Sequence, residues 1–168
     1  MKLEELNKLS PNKAFEELFK CCGSTQWASA LEGMRPFKNE EDLLSKSDKC
    51  WSKSNEEDAL EAFIHHPKIG DIKSLEKKFA STKDWAGGEQ SGVNVASKKI
   101  LEELAQGNTD YENKFGHIFI VCATGKSADE MLQILQERLP NDTSKELEIA
   151  KGEQNKITHI RLKKLING

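Results

Sequence analysis

Apolar residues recur every three or four positions along most of this chain, with polar residues between them. This spacing places apolar side chains on one face of an α-helix, so it predicts a succession of helices joined by short connections. Ser10 and Pro11 mark the start of one helix, which Gly23 is expected to close, and Asn39 is expected to cap another. The pattern as a whole predicts an all-α fold, a single compact multi-helix domain over residues 1–168.

The middle of the chain carries a capping box and then a proline. Ser54 with Glu57 predicts the start of a helix that turns Phe63 and Ile64 toward the core. Pro67 should end this helix, because the residue before a proline is disfavoured in the α region. A further short helix is expected after this break, with Asp71 as its cap.

The second half begins with a stretch that has neither helical nor strand periodicity, residues 81–92. A helix is predicted from about 93 to 106, ended by Gly107, with Tyr111 and Phe115 on a separate short helix. The apolar run 119–123 is interpreted as a buried extended segment. Ser127 should cap the next helix, and a last helix should run from about 142 to 165.

The composition is typical of a soluble protein with charged outer faces. The 168 residues include 25 basic and 28 acidic ones, for a net charge of −3, spread in both signs along the chain. There is no basic stripe with interleaved aromatics, so nucleic acid is not an expected partner. The longest apolar run is too short to cross a bilayer and the charged N-terminus is unlike a signal peptide, so we expect a cytoplasmic protein without membrane contact. The four cysteines are interpreted as reduced, mostly buried thiols.

The last predicted helix carries an arginine on its apolar stripe. Arg161 lies four residues after Ile157 and four before Leu165. A guanidinium is costly to desolvate without an anionic partner. It can snorkel outward or pair with a buried carboxylate, or it can face a pocket and bind a substrate carboxylate or carbonyl through its planar fork.

Two further features depart from simple packing. His66 stands between the predicted helix and Pro67, where its ring can face a cleft. The unperturbed pKa of a histidine lies near neutrality, which suits proton transfer. The alternative is a histidine favoured at a helix C-terminus by the macrodipole. Glu89 and Gln90 lie among glycines that let the backbone approach a ligand closely, although ordinary surface loops share this composition.

The histidines do not predict a metal site. His65, His66, His117 and His159 lack the spacing of metal ligands on one helix and have no accompanying cysteine ligands. Gly125, Lys126 and Ser127 lack the earlier glycine of a phosphate loop. We therefore expect no metal and no cofactor.

Six segments, taken in order, resemble the OHCU decarboxylases, which act on 2-oxo-4-hydroxy-4-carboxy-5-ureidoimidazoline (OHCU) in urate breakdown. They include HPKIGD at 66–71 and WAGGEQSG at 85–92. The other four are residues 7–10, 22–27, 115–127 and 153–162. The resemblance implies an all-α, cofactor-free homodimer with a small-molecule substrate.

The resemblance also implies which residues form the site. His66, Glu89 and Arg161 form the catalytic set: His66 transfers the proton, Glu89 holds the histidine, and Arg161 binds the polar periphery of the substrate. Gln90 contacts the substrate and Pro67 lines the site. The remaining implied contacts are backbone groups of Phe119, Ile120, Val121, Cys122 and Ala123.

The implied reaction fits a protein without a cofactor. The carbon that bears the carboxylate adjoins a ring C=N bond, which can take up the electrons released with CO2, and the product is (S)-allantoin. One alternative is a related lyase or hydrolase acting on another ureido or imidazoline acid. Another is a non-catalytic helical module that binds a partner through its amphipathic faces. The enzyme requires that His66, Glu89 and Arg161 converge around one pocket, whereas the module lets them lie apart.

Overall fold

The computed structural model describes residues 1–66, Leu75 and 91–168, with the backbone alone for 91–97. Within this part of the chain every regular element is an α-helix, which confirms the prediction of an all-α fold. None of the described helices has the length and apolar content needed to cross a membrane. The eight described helices are α1 (Leu3–Lys8), α2 (Pro11–Phe19), α3 (Thr25–Glu32), α4 (Glu40–Ser52), α5 (Glu56–Ile64), α6 (Ser91–Phe115), α7 (Ala128–Arg138) and α8 (Thr143–Asn167).

Contacts between residues divide the chain into two compact units. The first unit comprises Met1–His66 and Leu147–Gly168, and the second comprises Pro67–Glu146. The first therefore holds α1 to α5 and most of α8, and the second holds α6 and α7. A single domain over residues 1–168 stays a prediction.

In the first unit, α3 packs against α2, α4 and α5. Two indoles connect its helices: Trp27 Nε1 donates to Ser47 Oγ at 3.1 Å, and Trp51 Nε1 donates to the Lys151 carbonyl at 3.0 Å. The largest fully buried apolar side chains of this unit are Leu6, Leu18, Trp27, Leu31, Leu43, Phe63 and Leu162.

In the second unit, α6 packs against α7. Its core includes Leu101, Leu104, Tyr111, Met131 and Leu135. Residues 119–123 lie outside any helix or strand between these two helices, and the three central residues of this segment are buried. The apolar run is thus a largely buried connection that leads into α7, as predicted.

Helix starts follow the predicted caps in several places. The Ser10, Asn39 and Ser127 side chains accept the backbone N–H three residues later. The prediction for α5 is wrong, because Asn55 caps it and forms the capping box with Asp58. The Ser54 hydroxyl, predicted to cap this helix, instead donates to Gln26 Oε1 at 3.1 Å.

Two glycines predicted to end helices are packing residues instead. Helix α6 continues through Gly107 to Phe115, so Tyr111 and Phe115 belong to one long helix. A Cβ at Gly107 would lie 2.5 Å from Leu135 Cδ2, and one at Gly23 would lie 2.6 Å from His65 Cβ. Helix α2 already ends at Phe19, so the role of Gly23 is this close approach.

The predicted orientation of Ile64 is also wrong. Its side chain is 79% exposed, whereas Phe63 is 1% exposed. Neighbouring positions on a helix point about 100° apart, and here Ala62 and Phe63 face the core whereas Ile64, one position further round, faces outward. Of the helix predicted after Asp71, the structure describes Leu75 alone, which is helical and buried. Most of the glycine-rich stretch lies outside the described residues; its last two residues, 91 and 92, already belong to α6.

Candidate functional site

His66 lies directly after the last turn of α5. The helix ends at Ile64, His65 has helical backbone angles as its C-cap, and the His66 N–H donates to the Phe63 carbonyl at 3.2 Å. The His66 side chain is partly buried. This is the predicted place at the end of the helix, while Pro67 itself lies outside the described residues.

The imidazole of His66 is held by a side chain of α8. Its Nε2 forms a hydrogen bond with Oε1 of Gln154, which is 0% exposed. Gln154 Nε2 in turn donates to Thr158 Oγ1 at 3.1 Å, and the Thr158 hydroxyl donates to the Gln154 carbonyl at 2.9 Å. A histidine after one helix is thus anchored to a fully buried amide on another.

Arg161 is in the same unit, three residues beyond Thr158 on α8. It is partly buried and forms no hydrogen bond or ion pair with any residue that the structure describes. Its positive charge acts on His66, and also on Cys21 and Cys22. The alternative in which Arg161 pairs with a buried carboxylate therefore finds no such partner among the described residues.

Burial sets the protonation of this region. Burial is the largest cause that lowers the pKa of His66 below 6.5; the Arg161 charge also lowers it, and the Gln154 hydrogen bond opposes both. Burial also raises the pKa of Cys21 to about 12 and of Cys22 to about 11. Near neutral pH the imidazole is therefore mainly uncharged, and both thiols are protonated and unsuited to nucleophilic chemistry.

All four cysteines are buried and outside any disulfide, as predicted. No three histidine, cysteine, aspartate or glutamate side chains are placed to hold a metal ion in the part of the chain that the structure describes. The described residues of the first unit thus include a neutral proton acceptor, His66, and a cation that acts on it, Arg161.

The apolar segment predicted to contact the substrate lies in the second unit. The Ile120 carbonyl accepts from Arg138 Nη1 at 2.7 Å. The backbone N–H groups of Phe119, Ile120 and Val121 have no acceptor among the described residues.

Arg138 itself belongs to a buried polar cluster that sequence reasoning missed. Its Nε donates to Glu146 Oε1 at 2.6 Å, and the Tyr111 hydroxyl donates to the same oxygen at 2.6 Å. Burial and the Glu146 carboxylate raise the pKa of Tyr111. The signal was in the sequence, because Arg138 shares the helical stripe of Met131 and Leu135 in the same way as Arg161 shares its own.

Gln154 and Thr158 were missed for a different reason. The buried row on α8 runs Ala150, Gln154, Thr158 and Leu162, with one residue every four. Four residues turn a helix by about 400°, so this row winds slowly around the helix. The predicted stripe through Ile157 and Arg161 follows a neighbouring line, which the structure shows to be only partly buried.

The structure therefore brings together part of the predicted site. His66 and Arg161 lie in the first unit, and residues 119–123 lie in the second. Pro67, Glu89 and Gln90 lie outside the described residues. Convergence of the catalytic set around one pocket stays a prediction.

Comparison with known proteins places the chain in a family. The family model for OHCU decarboxylase matches residues 7–163. A uric acid degradation bifunctional protein of Arabidopsis thaliana is 37% identical over 147 residues, which cover 88% of this chain and 45% of that protein. The chain thus spans less than half of the length of that relative. The 2-oxo-4-hydroxy-4-carboxy-5-ureidoimidazoline decarboxylase of Amia calva is 26% identical over 172 residues, 99% of this chain and 95% of that protein.

A solved structure agrees with this placement. The crystal structure of OHCU decarboxylase in the presence of (S)-allantoin superposes with a TM-score of 0.72 and 35% sequence identity, covering 91% of this chain and 99% of that one. The crystal structure of (S)-allantoin synthase, at 18% identity and a TM-score of 0.72, shares the fold. Because the family model spans most of the chain and a structural relative above 30% identity is covered almost completely, this chain belongs to the OHCU decarboxylase family.

Proposed function

We propose that this chain converts OHCU to (S)-allantoin and CO2 in urate degradation, with no cofactor. The observation that carries the proposal is the placement, in one unit, of a neutral half-buried imidazole beside a guanidinium without a described partner. A decarboxylase for an anionic substrate needs a cation to orient the carboxylate and a base that is uncharged near neutral pH. The family membership and the names of the relatives support this substrate.

The chemistry requires cleavage of one carbon–carbon bond and three proton transfers: one to nitrogen, one from the hydroxyl and one to carbon. The bond between the hydroxyl-bearing ring carbon and the carboxylate breaks, and its electron pair forms a double bond to the neighbouring ureido-bearing carbon. The C=N pair moves onto nitrogen, which takes up a proton. The hydroxyl then loses its proton to become the carbonyl of allantoin, and the ureido-bearing carbon gains one on a single face.

The roles follow from this sequence of events. His66 accepts the hydroxyl proton and supports delivery of a proton to carbon, and Arg161 binds the polar periphery of the substrate. Glu89, Gln90 and Pro67 complete the site from the glycine-rich stretch and the residue after His66. Backbone groups of the segment 119–123 supply hydrogen bonds to the ring.

The assembly and location belong to the same proposal. The active form is a homodimer in the cytoplasm, with one small-molecule substrate for each chain and no partner of nucleic acid or membrane. Sedimentation of the purified protein measures the assembly directly.

The decisive experiment replaces His66. OHCU is generated freshly and the circular dichroism of (S)-allantoin is followed for the wild type and for His66→Asn. Loss of the proton-transfer group should lower the rate by roughly 10²–10⁴-fold. His159→Asn is the matched control, since His159 is bound to Asp48 at 2.6 Å and has no role in the proposed site. A His66→Asn protein that forms chirally pure allantoin at the wild-type rate contradicts the proposal.

A further inference from the structure

The partner of His66 assigns the roles of its two ring nitrogens. We propose that Gln154 is a positioning residue that holds His66 as the tautomer with its proton on Nε2, so that Nδ1 exchanges protons with the substrate. The inference rests on the proposed function, in which His66 carries the proton, and it adds a residue that the sequence analysis did not identify.

The hydrogen bonds of Thr158 determine which way the Gln154 amide is oriented. Thr158 Oγ1 lies 2.9 Å from the Gln154 carbonyl and gives its one hydrogen to that oxygen. The hydroxyl is therefore free to act as an acceptor toward the Gln154 side chain, whose Nε2 lies 3.1 Å away. An amide with its nitrogen toward Thr158 must turn its oxygen toward His66.

The orientation of the amide determines which nitrogen of the His66 imidazole carries the proton. An amide oxygen only accepts hydrogen bonds, so the ring nitrogen that it contacts, Nε2, must donate. A neutral imidazole carries one N–H, and with Nε2 protonated the lone pair is on Nδ1. The ring nitrogen that faces away from Gln154 is then the basic one.

The charges around the His66 ring disfavour its doubly protonated form. The described groups whose charge acts on His66 are Arg161 and His65, and both disfavour the imidazolium. A carboxylate in place of the Gln154 amide would favour a doubly protonated ring, which has no lone pair for the substrate. The neutral amide orients the ring and leaves it uncharged.

The Gln154 amide and its partner Thr158 are enclosed by the fold. Gln154 is 0% exposed and Thr158 is 2% exposed, so neither side chain has room to change rotamer. A hydrogen bond with Thr158 also reaches the buried Cys22 thiol. On the histidine side, the His65 ring packs edge-on against Phe19, with ring centroids 5.0 Å apart.

The direct test is the tautomer of His66 in the free protein. Two-dimensional ¹⁵N NMR of the imidazole nitrogens, with His66→Asn to assign the signals, distinguishes Nε2–H from Nδ1–H. We expect the Nε2–H form to dominate above pH 7. A dominant Nδ1–H form in the wild type overturns the inference, whatever the fate of the variants.

Two substitutions at Gln154 then connect the tautomer to the rate. Gln154→Leu keeps the volume and removes the acceptor, so His66 should become a mixture of tautomers and kcat should fall roughly 10- to 100-fold with KM little changed. Gln154→Glu should raise the pKa of His66 and move the acidic limb of the kcat/KM profile to higher pH. Asn155→Ala is the control at the next position of the same helix, where the side chain donates to Asp48 Oδ1 at 3.0 Å, and it should alter neither the tautomer nor the profile.

The outcomes separate this inference from the proposed function. If His66→Asn retains the wild-type rate, the proposed role of His66 fails even when the tautomer is the expected one. If His66→Asn is inactive but Gln154→Leu keeps the wild-type tautomer and kcat, the catalytic proposal stands and the role of Gln154 is wrong. If Gln154→Leu does not fold, the wild-type tautomer and the Thr158→Val variant, which removes the acceptor of the amide, decide the question.

Discussion

Burial and the guanidinium of Arg161 act on the His66 imidazole in the same direction. Both lower its pKa below 6.5, and the hydrogen bond with Gln154 opposes them without reversing the shift. A histidine that remains charged near neutral pH is a proton donor, whereas this one is mainly a proton acceptor. The role proposed for His66 at the start of the reaction is the one that its surroundings favour.

The lowered pKa predicts how stability depends on pH. Between the folded-state pKa and 6.5, the unfolded chain binds a proton at His66 that the folded chain does not. The contribution of His66 to the free energy of unfolding is therefore fully present above pH 6.5. It declines as the pH falls toward the pKa of His66 in the folded state. Between pH 7.5 and pH 5.5, the free energy of unfolding measured in urea should fall less for His66→Asn than for the wild type. Equal losses in the two proteins would contradict the direction of the shift.

The same imidazole predicts the pH dependence of the reaction. The acidic limb of kcat/KM reports protonation of the free enzyme, so it should lie below pH 6.5 in the wild type. The described charged or titratable neighbours that act on it are Arg161 and His65. Rates measured from pH 5 to 8 with freshly generated OHCU test this, and a limb above 6.5 would show that another group controls the proton.

At the level of helices, two glycines on long helices have opposite surroundings. Gly107 on α6 faces Leu135, which is 1% exposed and packed in the core of the second unit. Gly152 on α8 has nothing within 4 Å of the position of an added Cβ. The same substitution should therefore have opposite effects at the two sites.

Alanine at each glycine gives a matched pair for urea unfolding. Gly152→Ala should stabilise the protein by up to about 1 kcal/mol, the difference in helix propensity between the two residues. Gly107→Ala gains the same propensity but overpacks a buried contact, which costs about 1–3 kcal/mol, so a net loss is expected. A stabilising Gly107→Ala would mean that α6 and α7 separate easily.

These glycines also show where the sequence pattern stops being informative. A glycine near the end of an amphipathic run has the signature of a helix stop, and the Leu135 contact that requires it lies on another helix. Asn55 and Ser54 are both good caps with an acidic residue three positions later, and the Gln26 contact with Ser54 decides between them. Periodicity predicted the helices well because it is local, but it does not contain these distant contacts.

In the candidate site too, a local pattern predicts one residue and a distant contact determines another. His66 was predicted from the proline beside it, and the structure places it at that helix end. Gln154, its partner, is 88 positions away in the sequence. A glutamine on a row with Ala150 and Leu162 is a weak signal, since the row winds around the helix. A local break in the pattern pointed to His66 as the proposed reactive group, and the fold was needed to find that Gln154 holds it.

For the whole molecule, helix α8 is the element common to both units. It carries Glu146 in the second unit and Gln154 in the first. Glu146 is 0% exposed and receives hydrogen bonds from Tyr111, Arg138 and Asn141. This cluster fixes α6, α7 and the start of α8 against one another in the second unit.

Removing the charge of Glu146 tests whether the two units unfold as one domain. Glu146→Gln leaves Arg138 buried without its anion, at a cost of about 3–5 kcal/mol, whereas the exposed Glu148→Gln should change stability by at most about 0.5 kcal/mol. The indole N–H groups of Trp27 and Trp51 are bonded within the first unit. In a single cooperative domain, Glu146→Gln should speed their hydrogen exchange on the order of 10²-fold or more, because every 1.4 kcal/mol is tenfold. Unchanged exchange at both indoles, with the second unit destabilised, would show that residues 1–168 form two domains.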